Sequence, residues 1–273
     1  MTSFVLKIVA MVTMFCDHFG DAYVGQFSAF NLIGRVAFPI FAFQISEGFI
    51  HTKNLKKYFF RLGLFALISQ IPFALFYYKF FNTTEIPLNI FFTLFLGLLA
   101  IYLYNFTVQQ FAIKNKKLKF PIDKIVGLIF VFLLSYIAEI LNTDYGYWGV
   151  IAIFAFYLLK QHKAIMTIVF ILLCIIKYGN QLLQTNFHYA YVLLTVFTAL
   201  PIILIDMYNG KQGPKIKHFL YAFYPVHLLL LYFFLWIILY ILYLQSNVYF
   251  LFLFSAPNIV QTVNAHYISH NSL

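Results

Sequence analysis

The chain has 273 residues, 63% of them hydrophobic and 22% aromatic, and only 10% are charged, whereas a soluble domain carries about 25% charged residues. So few charges cannot clothe a water-facing surface, which excludes a soluble enzyme and makes lipid the expected solvent for most of the chain. The net charge of +10 does not signal nucleic acid, because the basic residues sit in short loops between apolar segments and form no groove or stripe.

A spanning helix needs about 20 mainly apolar residues. In chain order the candidates are Phe4–Phe19, Asn31–Ile50, Tyr58–Tyr78, Leu88–Phe106, Ile122–Leu141, Gly146–Leu159, Ala164–Tyr178, Phe187–Asp206, His218–Leu244 and Val248–Val260. The sixth, seventh and tenth are short. The first carries Asp17 and His18 and lacks a small-residue cleavage site, so it reads as a retained helix and not a signal peptide. The expected fold is all-α and polytopic, a single domain over 1–273 with nine or ten transmembrane helices.

Placing the N-terminus in the cytoplasm puts fifteen of the eighteen basic residues on that side: Lys7, the 53–61 cluster, the 114–124 cluster, Lys160, Lys163, Lys211, Lys215 and Lys217. Only Lys79 and Lys177 fall opposite, and Arg35 falls within a span. Such a bias is what retains loops on the cytoplasmic side during insertion. A multi-pass membrane protein with its N-terminus in the cytoplasm is expected.

An Arg, Lys or Asp at a helix centre costs about 2.5–3.5 kcal/mol on insertion scales, so intramembrane charges mark pairs or sites. Here they fall into two layers. The outer layer holds Asp17, His18, Arg35, Asn89, Thr93, Glu139 and Asp144. Asn89 and Thr93 share a helix face. Adjacent Asp17 and His18 diverge by about 100° unless the helix ends there, which Gly20 suggests. Asp17 and Arg35 form either a structural ion pair or part of a site. The inner layer holds Glu47, His51, Lys53, Lys56, Lys57 and Arg61, with Lys211, Lys215, Lys217 and His218. It is either a plain topology signal or a set of cationic donors for the phosphates of a nucleotide-like ligand.

His227 lies beyond Pro225 in Tyr221-Ala-Phe-Tyr224-Pro-Val-His227. That is about ten residues into a span, roughly 15 Å deep at 1.5 Å per residue. It reads as a core residue bonded to a carbonyl freed by Pro225, or as a pocket residue together with Tyr224. The turn Asp144-Tyr-Gly-Tyr-Trp-Gly149 fits an outer loop that re-enters the membrane. Cys16 and Cys174 read as packing residues. No Walker loop, G-x-S-x-G elbow, H-E-x-x-H pair or C-x-x-C motif occurs, so no metal, NTP or serine-hydrolase chemistry is expected.

Several blocks together strongly resemble the TraX family. They are Leu6-Lys-Ile…Met14-Phe-Cys-Asp17-His18, Gly34-Arg35-Val-Ala-Phe-Pro39-Ile-Phe-Ala-Phe43, Glu47-Gly-Phe…His51-Thr-Lys53, Ser69-Gln-Ile-Pro72, Leu88-Asn89-Ile-Phe-Phe-Thr93, Asp144–Gly149, and Lys217 to Leu228. TraX proteins are linked to N-acetylation of the pilin of conjugative pili. They are similar to a wider class of membrane acyltransferases that includes the lysosomal enzyme acetylating heparan glucosamine.

The resemblance implies acyl transfer from cytoplasmic acetyl-CoA to an acceptor on the far side: an exported peptide, a pilin-like N-terminus or a surface glycan. In that class the proposed catalytic histidine precedes a Phe-Pro-x-Phe helix; the matching element here is Asp17-His18 before Phe38-Pro-Ile-Phe41. Gln70 stands where many relatives carry Glu, so it is not expected to act as an acid.

The expected division of labour is therefore His18 as general base, with Asp17 holding Arg35 or orienting another donor. Lys53, Lys57, Arg61, Glu47 and His51 face acetyl-CoA, and Arg35, Asn89, Thr93, Asp144, Tyr224 and His227 line the acceptor side. Asn89 and Thr93 are the expected oxyanion donors. The alternative is a small-molecule or lipid transporter or flippase that uses the same charges as a substrate path, although no internal repeat is visible.

Overall fold

The computed structural model describes residues 1–25, 28–114, 122–214 and 216–255. Lys116, Lys117, Lys119 and Lys215 of the basic loops, and the end of the tenth expected span, lie outside the described residues, as do the side chains of Lys114, Lys217 and His218.

Helices α1 to α11 are Ser3–Phe19, Ala29–Gly34, Ala37–His51, Leu55–Phe81, Ile90–Lys114, Ile122–Ile140, Gly146–Leu159, Lys163–Gln184, Tyr189–Ala199, Pro201–Asp206 and Lys217–Ser255, with a π turn at Gly20–Val24. Among the described residues there is no strand; Leu88 and Thr143 form one isolated bridge. Residues 1–229 form one compact unit. In the second, residues 230–255 are helical.

Among the described residues six stretches are long and apolar enough to cross a membrane: Ser3–Val24, Ala29–His51, Leu55–Phe81, Ile90–Gln110, Lys163–Gln184 and Tyr189–Asp206. Gly146–Leu159 and Phe219–Phe234 are shorter apolar helices, and α6 carries Asp123, Lys124 and Glu139 among its 19 residues. The expected break between the ninth and tenth spans is absent, because 217–255 is one helix. Expected helix starts and ends shift wherever caps outlast the apolar run. Thr2 caps α1, Ser28 and Asn31 form a capping box before α2, and Asn54 caps α4, each side chain satisfying an otherwise orphaned amide.

Two-thirds (67%) of the Ala29–His51 stretch is buried, against 28% of Lys163–Gln184, so α3 is the centre of the bundle. Outer helices turn Ile129, Phe132, Tyr136, Ile168 and Ile176 outward, as a chain solvated by hydrocarbon does. At one end the start of α1 is stitched to the 207–212 loop (Ser3 N–H to Lys211 O, 2.9 Å) and to Gln44 on α3 (2.7 Å). At the other end Gly34, before α3, lies against Asp17 so closely that any Cβ would overlap the carboxylate. The two expected polar layers are thus at opposite ends of α1 and α3.

Candidate active site between two histidines

Gly20 does not end α1. It is right-handed (φ −57°) and the chain winds on through the π turn to Gly25 (φ 111°). Because the helix continues, Asp17 and His18 diverge, and each meets a different neighbour.

Asp17 turns toward the start of α3. Arg35 Nη2 donates to both of its carboxylate oxygens at 2.5 Å. Asn31 Nδ2 donates to Asp17 Oδ1 at 3.3 Å and to Asp21 Oδ1 at 2.7 Å. The side chains of Arg35 and Asp17 are 23% and 15% exposed, so this is a largely desolvated ion pair, tied in by a buried asparagine. Beyond it, the ammonium of Lys177 stands 4.3 Å from the ring of Tyr145 and 4.6 Å from that of Trp148, a cation–π clasp on the loop that carries Asp144.

His18 turns the other way, toward α4 and α11. Its ring meets Phe76 edge-on at 5.4 Å and Tyr224 at 6.0 Å, and its Nδ1 lies 2.8 Å from Nε2 of His227. His227 is 2% exposed, and its own Nδ1 lies 2.8 Å from the carbonyl oxygen of Phe223. The helical bond that Pro225 cannot make is the one to the carbonyl of Tyr221, so the carbonyl held by His227 is a different one from the freed group expected. The proline leaves α11 unbroken.

These contacts fix the tautomers. A carbonyl only accepts, so His227 Nδ1 carries a proton and its Nε2, in the neutral ring, accepts; His18 Nδ1 must then donate. What remains is the His18 Nε2 lone pair, on a ring held by a second histidine and a backbone carbonyl. A base oriented by a third group is the triad logic in another set of residues. Asp17, expected to hold Arg35 or to orient another donor, holds Arg35.

Asn89 and Thr93 are fully buried but already committed. Asn89 Nδ2 donates to Ala66 O (2.7 Å) and Gln70 Oε1 (2.8 Å), and Gln70 Nε2 donates to Pro87 O (3.0 Å). The Thr93 hydroxyl lies 3.1 Å from that of Thr143 and also contacts the Asp144 carbonyl. Asn89 and Gln70 clasp the 87–89 segment to α4, and Thr93 ties α5 to Thr143 and Asp144, so the expected oxyanion donors are structural ties. Gln70 is part of that clasp and not an acid.

At the opposite end Glu47 is 2% exposed. Its carboxylate forms an ion pair with Lys160 Nζ at 2.6 Å and faces His51 Nε2 at 3.3 Å. Glu47 and His51 therefore offer no free cation to a phosphate. Tyr208 lies beside them; burial, and then the Glu47 carboxylate, push its phenol up from the ordinary range. Lys53 and Lys57 are exposed. Arg61 stacks 5.9 Å over the ring of Tyr58 and faces Tyr221, and its buried Nε has no hydrogen-bond partner.

The family model for TraX protein matches residues 3–235. The chain belongs to the TraX family. His18, His227 and every residue of both polar layers named above fall inside the match. The chain is 28% identical over 249 residues to the probable fimbrial assembly protein FimC (serogroup H1) of Dichelobacter nodosus, covering 84% of this chain and 94% of that one. An uncharacterized protein of Rickettsia prowazekii is 26% identical over 106 residues, 39% of each chain. No solved structure matches.

The sequence singles out Asp17 and His18 but not Asn31, Asp21, the pairing of Lys160 with Glu47 or the partnership of His18 with His227. Asp21 carried a signal, being four residues from Asp17 and so on the same helix face. The histidine pair is separated by 209 residues and carried none.

Proposed function

We propose that this chain is a membrane-embedded acyltransferase that moves an acetyl group from cytoplasmic acetyl-CoA to an amine or hydroxyl of an acceptor outside the bacterial cytoplasmic membrane, as in the wider acyltransferase class. The observation that carries the reading is the bare Nε2 of His18, oriented through His227 and the Phe223 carbonyl. A base held in this way takes the acceptor's proton as the acceptor attacks the thioester, a contribution of about 10²–10⁴-fold.

The Glu47 end is the cytoplasmic side in this reading, from the basic loops it carries. Arg61, whose Nε is unspent, with exposed Lys53 and Lys57 at the same end of α4, supplies the cationic donors for the phosphates of acetyl-CoA. Family membership, and a relative described as a probable fimbrial assembly protein, favour a pilin-like or other exported peptide over a surface glycan as acceptor.

The test is intact-mass analysis of exported peptides and surface material from cells with the wild-type chain, without it, and with His18→Ala. The expected outcome is one acetyl group per acceptor in the first case and a loss of at least about 10²-fold in the other two. Acetylation that persists without the chain overturns the proposal.

A further inference from the structure

A thioester under attack needs hydrogen-bond donors at its carbonyl oxygen, and neither Asn89 nor Thr93 is available. One buried donor beside the histidines is. Tyr224 is 3% exposed, yet its hydroxyl proton has no acceptor. An unpaired hydroxyl in an apolar setting costs about 1–3 kcal/mol, which is hard to account for in a residue that only fills space. Its ring lies 6.0 Å from that of His18 and 5.7 Å from that of His227. The ring of Phe91 meets it edge-on at 5.4 Å. Ile90, the first residue of the 25-residue helix α5, turns its backbone amide toward the same hydroxyl, so the positive end of a long helix dipole points there as well.

We propose that the Tyr224 hydroxyl and the N-terminus of α5 form the oxyanion site for the acyl thioester carbonyl. The inference rests on the acyl-transfer reading. The acceptor nitrogen or oxygen attacks the carbonyl carbon and gives its proton to His18 Nε2. The carbonyl π pair moves onto oxygen, where Tyr224 donates to it. The pair then returns, the C–S bond breaks, and the departing CoA thiolate takes the proton from His18. Acetyl-CoA and acceptor become CoA and acetylated acceptor, with nothing left over. Tyr224 sits one turn before His227 on α11, so one helix face carries both the group that orients the base and the group that receives the developing charge.

The experiment compares full-length wild type, Tyr224→Phe, His18→Ala and a chain carrying 3-fluorotyrosine at position 224, a stronger hydrogen-bond donor of nearly the same shape. Each is reconstituted with acetyl-CoA and a pilin-like peptide. Tyr224→Phe is expected to lose about 10²–10³-fold in kcat while its Kd for acetyl-CoA stays within about 2-fold, since the interaction exists only in the transition state. The fluorotyrosine chain is expected to turn over at least as fast as wild type. Tyr224→Phe turnover within about 3-fold of wild type, with His18→Ala inactive, removes Tyr224 from the chemistry and leaves the acyl-transfer reading standing. Should Tyr224→Phe fail to fold, a fluorotyrosine chain more than about 10-fold slower than wild type overturns the proposal. Wild type that binds acetyl-CoA and transfers nothing brings down the acyl-transfer reading, and this proposal with it.

Discussion

The Asp17 end and the Glu47 end of the first unit both bury charge, and they dispose of it differently. At the Glu47 end the buried carboxylate has Lys160 at 2.6 Å and His51 at 3.3 Å, and Lys53 and Lys57 stand in the open. At the Asp17 end the ion pair with Arg35 is equally well made, but next to it are a histidine bonded to a second histidine and a buried tyrosine hydroxyl with no acceptor. Desolvating a polar group and leaving it unpaired is costly, and proteins keep such groups where something is to be bound or made. Both ends also keep buried polar atoms without a partner, Arg61 Nε and the Tyr208 hydroxyl at the Glu47 end and the Tyr224 hydroxyl at the other; what sets the Asp17 end apart is that its hydroxyl stands beside a histidine pair, and that is where chemistry is expected.

The comparison can be attacked first at the group that orients His18. His227→Ala removes the acceptor that fixes the His18 tautomer, and a misplaced base costs roughly 10²-fold in turnover. His18→Ala in the same background should then cost little more, because the two act as one unit. Turnover in the single and double variants measures this, and independent, additive losses would separate the two histidines.

The next test sets Asp17→Asn against Glu47→Gln. Each strands a cation, Arg35 in one case and Lys160 in the other, and breaking such a buried pair costs roughly 3 kcal/mol. Thermal unfolding in detergent should show both losses. Only Asp17→Asn, beside the chemistry, should also slow turnover per folded molecule. A similar drop for Glu47→Gln would mean that the two ends are not distinct in kind.

The smallest effects belong to the exposed lysines. Lys53→Gln and Lys57→Gln should each weaken acetyl-CoA binding by about 1.5- to 5-fold, as exposed ion pairs do, and the loss should shrink at high salt. Arg61→Gln, partly buried, should cost more than either. Binding isotherms at two salt concentrations decide it, and unchanged affinity in all three returns these residues to a purely topological role.

The class of fold was legible because lipid demands long apolar runs, and the runs are helical, although Asn31–Ile50 and Phe187–Asp206 each divide into two helices and the described parts of the ninth and tenth runs share one. Boundaries moved where a cap extended the helix, as at Asn54, or where the chain wound on through the π turn after Gly20. The division into two polar layers was legible too, since charge in an apolar run is conspicuous, and the Asp17–Arg35 pair was one of the two readings weighed. Asn89 and Thr93 show the limit. Their shared face follows from a spacing of four, but that they are spent on Gln70, Ala66 and Thr143 follows only from how the segments fold together. The same holds for Lys160 meeting Glu47 and for His227 meeting His18. No local period links α1 to α11, so the arrangement that matters most for function had no signal in the sequence.

Whether His18 abstracts the proton for transfer across the membrane is decided in proteoliposomes. The chain is reconstituted with labelled acetyl-CoA on the Lys57 side and a pilin-like peptide on the other, in wild-type and His18→Ala forms. The account predicts labelled peptide from wild type and none above background from His18→Ala, with acetyl-CoA bound equally by both. Label crossing as unreacted acetyl-CoA, or His18→Ala acetylating the peptide within a few-fold of wild type, would contradict it.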